Sequence, residues 1–260
     1  METIITSTQN PRIKQLLALQ QKSQERRRTG LFVVDGRREL EHCFEAGYEV
    51  EEVFALADSP IPADLPTQTV SAHVYERIAY RGSTEGMIAV VRERKLTLDD
   101  LQGLSEGRGA ALLYIVLESV EKPGNLGAVL RSADAAGATA VIVCDPLTDL
   151  YNPNLIRASI GACFTVPMVA CTTEACIAFL KANGVRILTA QLQDSNLYYD
   201  TPMTGPTAIV MGTESTGLTQ PWRDAADAHI RIPMLGRLDS LNVSVSAAIL
   251  LFEAVRQREL

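Results

Sequence analysis

Several things are missing from this 260-residue sequence, and each absence removes a class of protein. No apolar run approaches the roughly 20 residues that a membrane-spanning helix needs. The opening METIITSTQN has no basic stretch followed by an apolar one, so no secretory signal is expected. The cysteines (Cys43, Cys144, Cys163, Cys171 and Cys176) are odd in number and form no Cys-x-x-Cys pair. That argues against a disulfide framework and for reduced thiols in a cytoplasmic compartment. His42, His73 and His229 are far apart, so no metal site is expected. Internal repeats and low-complexity tracts are absent. So is a general excess of positive charge: 24 Lys and Arg stand against 31 Asp and Glu, a net −7. Taken as a sum, that charge argues mildly against a nucleic-acid binder.

The distribution of charge says something different. Arg12, Lys14, Lys22, Arg26, Arg27, Arg28, Arg37 and Arg38 cluster early, against only Glu2, Glu25 and Asp35. Such a cluster is either a solvated helix face or a surface for phosphates. Around it the pattern is that of a small α/β unit. Asn10 and Pro11 open a helix that continues to about Arg27 and ends at Gly30. LFVVDG reads as a buried strand, Arg37 to Ala46 as a helix closed by Gly47, and VEEVFAL as a second strand. HVYERIAY reads as a short helix and GMIAVVR as a further strand, ending the unit near Arg92. The polar stretch 93–109, with glycines at 103, 107 and 109, is the expected linker.

From residue 110 the pattern changes to short apolar strands alternating with helices. The strands are ALLYIVLESV, TAVIVCD, VRILTAQ, TAIVMG and HIRIPM, and this alternation predicts a parallel sheet covered on both faces. The helices fall at 127–136, 154–162, 173–183 and 220–226. A last helix begins near Val243, where Val245, Ala248, Ile249 and Phe252 make one apolar face. Asn242 and Ser240 precede it, where capping side chains belong. The loop before it carries Arg237, Asp239, Ser240 and Asn242 between two apolar elements, a good ligand floor. A second such place is PGNLGAVLRSADAAG, which follows a strand and opens a helix. With Asp145 ending the next strand it invites a dinucleotide-binding, NAD(P)-dependent oxidoreductase reading. Two residues separate Gly124 from Gly127, however, so the Gly-x-Gly element is lacking and Asn125 and Arg131 go unexplained.

Three stretches, in order, resemble the motifs of the SpoU/TrmH family of RNA 2′-O-ribose methyltransferases, in the SPOUT class. They are ESVEKPGNLGAVLRSADAAGA, IVMGTESTGL and RIPMLGRLDSLNVSVSAAILLFE. The opening ITSTQNPRIKQLLALQQKSQERRRTGLFVVDGRRELEH resembles the family's N-terminal substrate-binding domain. The resemblance implies an α/β fold: a trefoil-knotted parallel-sheet catalytic domain over 110–260 behind an RNA-binding domain over 1–92. It implies methyl transfer from S-adenosyl-L-methionine to a ribose hydroxyl, in ribosomal rather than transfer RNA, by a cytoplasmic homodimer joined through the C-terminal domain. Carried over by motif, Asn125, Arg131, Glu214, Ser240 and Asn242 form the catalytic set, with Asn125 and Arg131 at one mouth. Gly212, Ile232, Met234 and Leu241 would line the cofactor slot. Thr213 stands where many relatives carry Asn. Arg12, Lys14, Arg26, Arg27, Arg28 and Arg37 would meet RNA. A non-catalytic RNA-binding relative would be expected to have lost Asn125, Arg131 or Asn242, and all three are present.

Overall fold

The computed structural model describes residues 4–61, 65–82, 85–105, 112–213 and 216–258. The chain forms two compact units, Met1–Arg94 with Asp149–Thr165, and Lys95–Thr148 with Val166–Leu260. Among the described residues no helix is long and apolar enough to cross a membrane.

The first unit opens with α1 (Pro11–Gln21), capped by the Asn10 side chain and burying Ile13, Leu16 and Leu19. Lys22 turns extended, so the single helix expected to Arg27 is two, and α2 (Ser23–Thr29) ends at a left-handed Gly30. There follow β1 (Leu31–Asp35), α3 (Arg37–Glu45), β2 (Val50–Ala55), β3 (Thr67–Thr69), α4 (Ala72–Ile78) and β4 (Met87–Arg92). The strands make one sheet in the order β1-β4-β2-β3, antiparallel except for the β2–β3 pair. Segment 149–165, carrying α7 (Pro153–Ser159) and α8 (Ala162–Thr165), packs with this unit although it follows the linker in sequence. Aromatic stacking explains that: Phe32 of β1 lies 4.3 Å from the Tyr151 ring and 6.0 Å from the Phe164 ring.

The second unit begins inside the stretch expected to be a linker. Residues 98–105 form α5 (Leu98–Ser105), and Leu101 is fully buried in this unit's core. The reason is local: Thr97 and Asp100 cap each other reciprocally, Thr97 N–H donating to Asp100 at 2.7 Å and Asp100 N–H to Thr97 at 3.3 Å. Then come β5 (Leu113–Glu118), α6 (Pro123–Ala135), β6 (Ala140–Cys144), β7 (Met168–Cys171), α9 (Thr173–Ala182), β8 (Arg186–Ala190), β9 (Asn196–Leu197), β10 (Thr207–Met211), α10 (Gln220–Ala225), β11 (Ala228–Arg231) and α11 (Val243–Gln257). All strands join one seven-stranded parallel sheet, in the order β7-β6-β5-β10-β8-β11-β9. The short strands β7 and β9 were not expected from the pattern. Order reverses between β5 and β10, and a parallel sheet binds ligands outside the carboxyl ends of its strands at such a point.

The last helix exists where its periodicity places it, but the apolar face read from the sequence is not the buried one. Ala247, Leu250, Leu251 and Ala254 turn inward, while Val245 and Phe252 are each about half exposed. Two apolar stripes therefore run along α11, and only one of them meets this unit's own core.

Candidate active site

The carboxyl ends of β5 and β10 meet the start of α6 and the start of α11. Pro123 sits in the first turn of α6, where its missing N–H costs nothing, and Asn125 follows in the same turn. Asn242 caps α11: its Oδ1 accepts from the Ser244 N–H at 2.9 Å and from the Ser244 hydroxyl at 2.6 Å. Its Nδ2 donates to Asn125 Oδ1 at 3.2 Å. One side chain thus closes a helix end and bridges two motifs 117 residues apart. Glu118, buried at the end of β5, fixes the edge from beneath. Its carboxylate accepts from the Thr219 N–H at 2.9 Å, the Thr219 hydroxyl at 2.5 Å and the Thr173 hydroxyl at 3.1 Å. Nothing in the motif reading singled out Glu118, although a carboxylate ending an otherwise apolar strand is a signal.

Beside this bridge lies a cavity of about 390 Å³, within the range of small-molecule sites. Gly212, Ile232, Met234, Ser240 and Leu241 all line it, together with Thr213 and Val243. A smaller cavity of about 140 Å³ shares Gly212, Thr213 and Val243 and is lined by Asn125 and Glu118. The sequence reading missed Gln191, Leu192, Gln193 and Arg223 on the wall of the larger one. The first three follow β8 directly, and the end of a parallel strand is where such residues belong. Gln191 Oε1 and Arg223 Nε are buried there without a hydrogen-bond partner among the described residues. Buried polar atoms left in that state call for a ligand or water.

Gly212 is glycine for a reason within its own loop. A Cβ on it would lie 2.3 Å from the backbone C and O of Gly217 and 2.5 Å from the Leu218 N. The loop's own backbone folds over this residue, so the absent side chain shapes the slot rather than only admitting a ligand. The Thr213 hydroxyl accepts from the Thr216 N–H at 3.0 Å, holding the same loop. Glu214 lies outside the described residues.

Arg131 is exposed, lines neither cavity and makes no hydrogen bond or ion pair among the described residues. The helix explains its separation from Asn125. Six residues at about 100° each turn it roughly 120° away, and about 9 Å further along the axis. The two are therefore not brought to one mouth within this chain.

The basic residues of the first unit divide sharply. Arg26 is 5% exposed. It pairs with Asp149 at 2.6 Å and donates to the Leu19 and Gln20 carbonyls, which withdraws it from any phosphate. Arg12 is partly exposed but pairs with Glu52, donates to Gln68 at 2.8 Å and stacks over Phe54. Arg28 pairs with Glu25 three residues back, at 2.5 Å. The Arg37 backbone N–H donates to Glu85 and its guanidinium to the Pro60 carbonyl at 3.4 Å. Lys14 and Arg27 are exposed, Arg27 donating among the described residues only to the Ser23 hydroxyl at 3.2 Å.

The SpoU rRNA methylase family profile matches residues 112–252, and an MRM3-like substrate-binding domain matches residues 10–89. The chain is 37% identical to the Yersinia pestis 23S rRNA (guanosine-2′-O-)-methyltransferase RlmB, over 87% of this chain and 92% of that protein. It is 29% identical to the Bacillus subtilis 23S rRNA (guanosine(2553)-2′-O)-methyltransferase RlmP, over 95% and 97% of the two chains. A crystal structure of an RNA 2′-O ribose methyltransferase superposes with a TM-score of 0.84 at 39% identity, covering 99% of this chain and 100% of that one. The SpoU methyltransferase AviRb from Streptomyces viridochromogenes, in complex with AdoMet, superposes at 0.86 with 27% identity, over 96% and 99%. This chain is a member of the SpoU rRNA methylase family.

Proposed function

We propose that the protein transfers a methyl group from S-adenosyl-L-methionine to a ribose 2′-hydroxyl of ribosomal RNA, in the cytoplasm. The observation that carries this reading is the cavity beside the Asn125–Asn242 bridge. Its residues fit the cofactor. Ile232, Met234 and Leu241 offer aliphatic walls for an adenine, and buried polar atoms of Gln191 and Arg223 await partners. When bound, the cofactor supplies a methyl group on a positively charged sulfur. Asn125 and Asn242 hold each other at the lip, which fixes both side chains where a ribose or phosphate would approach. Ser240 and Glu214 would complete the positioning.

Arg131 would act on the RNA. A guanidinium stays protonated, so a literal base is the harder role for it. As a cation holding a phosphate and the developing alkoxide it lowers the barrier where charge appears. Its distance from both cavities supports an active site completed by a second copy. So do the exposed apolar residues: Leu235 and Leu238 are 96% and 76% exposed, and Leu241 before α11 and Val245 and Phe252 on it are exposed as well. The protein would then be a homodimer through the second unit, with the first unit, 1–92 in outline, receiving RNA. In sedimentation, Leu238→Asp should shift the dimer toward monomer.

The direct test is transfer of labelled methyl from S-adenosyl-L-methionine to ribosomal RNA, followed by nuclease digestion. A labelled 2′-O-methylnucleoside is expected. Label in a base, or in transfer RNA alone, would refute the reading.

A further inference from the structure

Three thiols far apart in the sequence converge in the second unit. Cys144 ends β6 and Cys171 ends β7, and the two are paired in register across those parallel strands. Paired residues of adjacent strands send their side chains to the same face. The helix α9 follows β7, and its Cys176 comes down onto that pair. All three sulfurs lie within 4.8 Å of one another, with 4.0 Å between those of Cys144 and Cys171. Cys144 and Cys176 are buried, whereas Cys171 is only partly so, which leaves a way in from solvent.

We propose that Cys144, Cys171 and Cys176 form a thiolate site for one thiophilic cation of the zinc class. The geometry is close to what such an ion needs. With a Zn–S distance of about 2.3 Å, tetrahedral coordination sets sulfurs ~3.8 Å apart, so contraction by less than about an ångström closes the site. The ligand type selects the ion: thiolates take zinc and leave magnesium and calcium to oxygen sites. Three ionised sulfurs alone would be costly here, and a divalent cation reduces their charge from three to one. The amino-terminal end of α9, capped by Thr172, lies beside them and favours the remaining negative charge. Three protein ligands leave a fourth position for water or an added ligand.

The competing account makes these cysteines small apolar fillers, a common role for a buried thiol. The two accounts part on metal binding. The spacing concealed the cluster: Cys144 and Cys171 are 27 residues apart, joined only by strand pairing.

The test uses the full-length protein, reduced, stripped of metal and kept free of oxygen. Titration with Co(II) should give a thiolate-to-cobalt charge-transfer band and tetrahedral visible bands, saturating at one equivalent. Zn(II) should displace the cobalt, and its binding should release thiol protons to solution. Cys171→Ser, at the partly exposed position, should abolish the band while circular dichroism remains native. Cys43→Ser, in the first unit, should leave the band intact. A wild-type protein without the band, or a band that survives Cys171→Ser, overturns the proposal. If Cys144→Ser does not fold, Cys171→Ser and the wild-type proton release still decide it.

Discussion

The arginines of the two units make an instructive contrast. In the first unit, Arg12, Arg26 and Arg28 are each engaged by a carboxylate, of Glu52, Asp149 and Glu25 respectively. In the second, Arg131 stands exposed on α6 with no partner among the described residues. Counting charges along the chain made the first group the conspicuous one. Pairing reverses the weighting. A guanidinium already held by a carboxylate must give up that bond to meet a phosphate, while Arg131 gives up only water. Three of the first unit's arginines are thus held by its own carboxylates, while Arg131 of the second unit is not held by any carboxylate among the described residues.

Substitutions can break or sharpen this contrast, and the largest effect belongs to Arg131. Loss of a transition-state donor typically costs about 10²–10³-fold in turnover. Single-turnover methyl transfer by Arg131→Ala should fall by that order, with S-adenosyl-L-methionine affinity unchanged in calorimetry. Arg131→Lys should recover little, because the ammonium lacks the planar fork. Arg26→Ala should do the opposite. It strands Asp149 and two carbonyls, and breaking a buried pair costs about 3 kcal/mol or more of stability. Denaturant unfolding should show that loss, and cofactor affinity of the protein that remains folded should not change. Asn242 separates cap from bridge. Asn242→Ala removes both, at about 1 kcal/mol for the cap. Asn242→Asp keeps the capping oxygen and loses the donor to Asn125, so its stability should stay near wild type while transfer falls. Equal stability losses in the two variants would detach the bridge from the account. The smallest effect is expected at Arg27, which is exposed and has no carboxylate partner among the described residues. Arg27→Ala should flatten the salt dependence of RNA binding by roughly 0.7 in log–log slope and leave the melting temperature alone.

Much of this was legible before any coordinates. Strand-and-helix alternation predicted the parallel sheet, and Asn242 before an apolar period predicted a capped helix. The slot residues Gly212, Ile232, Met234 and Leu241 came from motif resemblance, and they line one cavity. The trefoil knot entered through resemblance alone, since no periodicity encodes a chain's path. Other features were hidden for identifiable reasons. The polar composition of 93–109 concealed α5, whose signal was the Thr97/Asp100 cap rather than apolarity. The stripe Val245, Ala248, Ile249 and Phe252 was apolar without being this unit's core face, because periodicity identifies faces but not what covers them. Arg26 looked like its neighbours Arg27 and Arg28. Burial against Asp149, 123 residues later, and against the Leu19 and Gln20 carbonyls distinguishes it. Long-range partners of this kind leave no local trace in a sequence.

The central claim is that the second unit's site, through Arg131, methylates ribosomal RNA on ribose. Mapping 2′-O-methyl positions in ribosomal RNA from a deletion strain, complemented by wild type or by Arg131→Ala, tests it most directly. One ribose methylation should vanish on deletion, return with the wild-type gene and stay absent with Arg131→Ala at equal protein level. Full return with Arg131→Ala, or an unchanged map after deletion, would contradict the account.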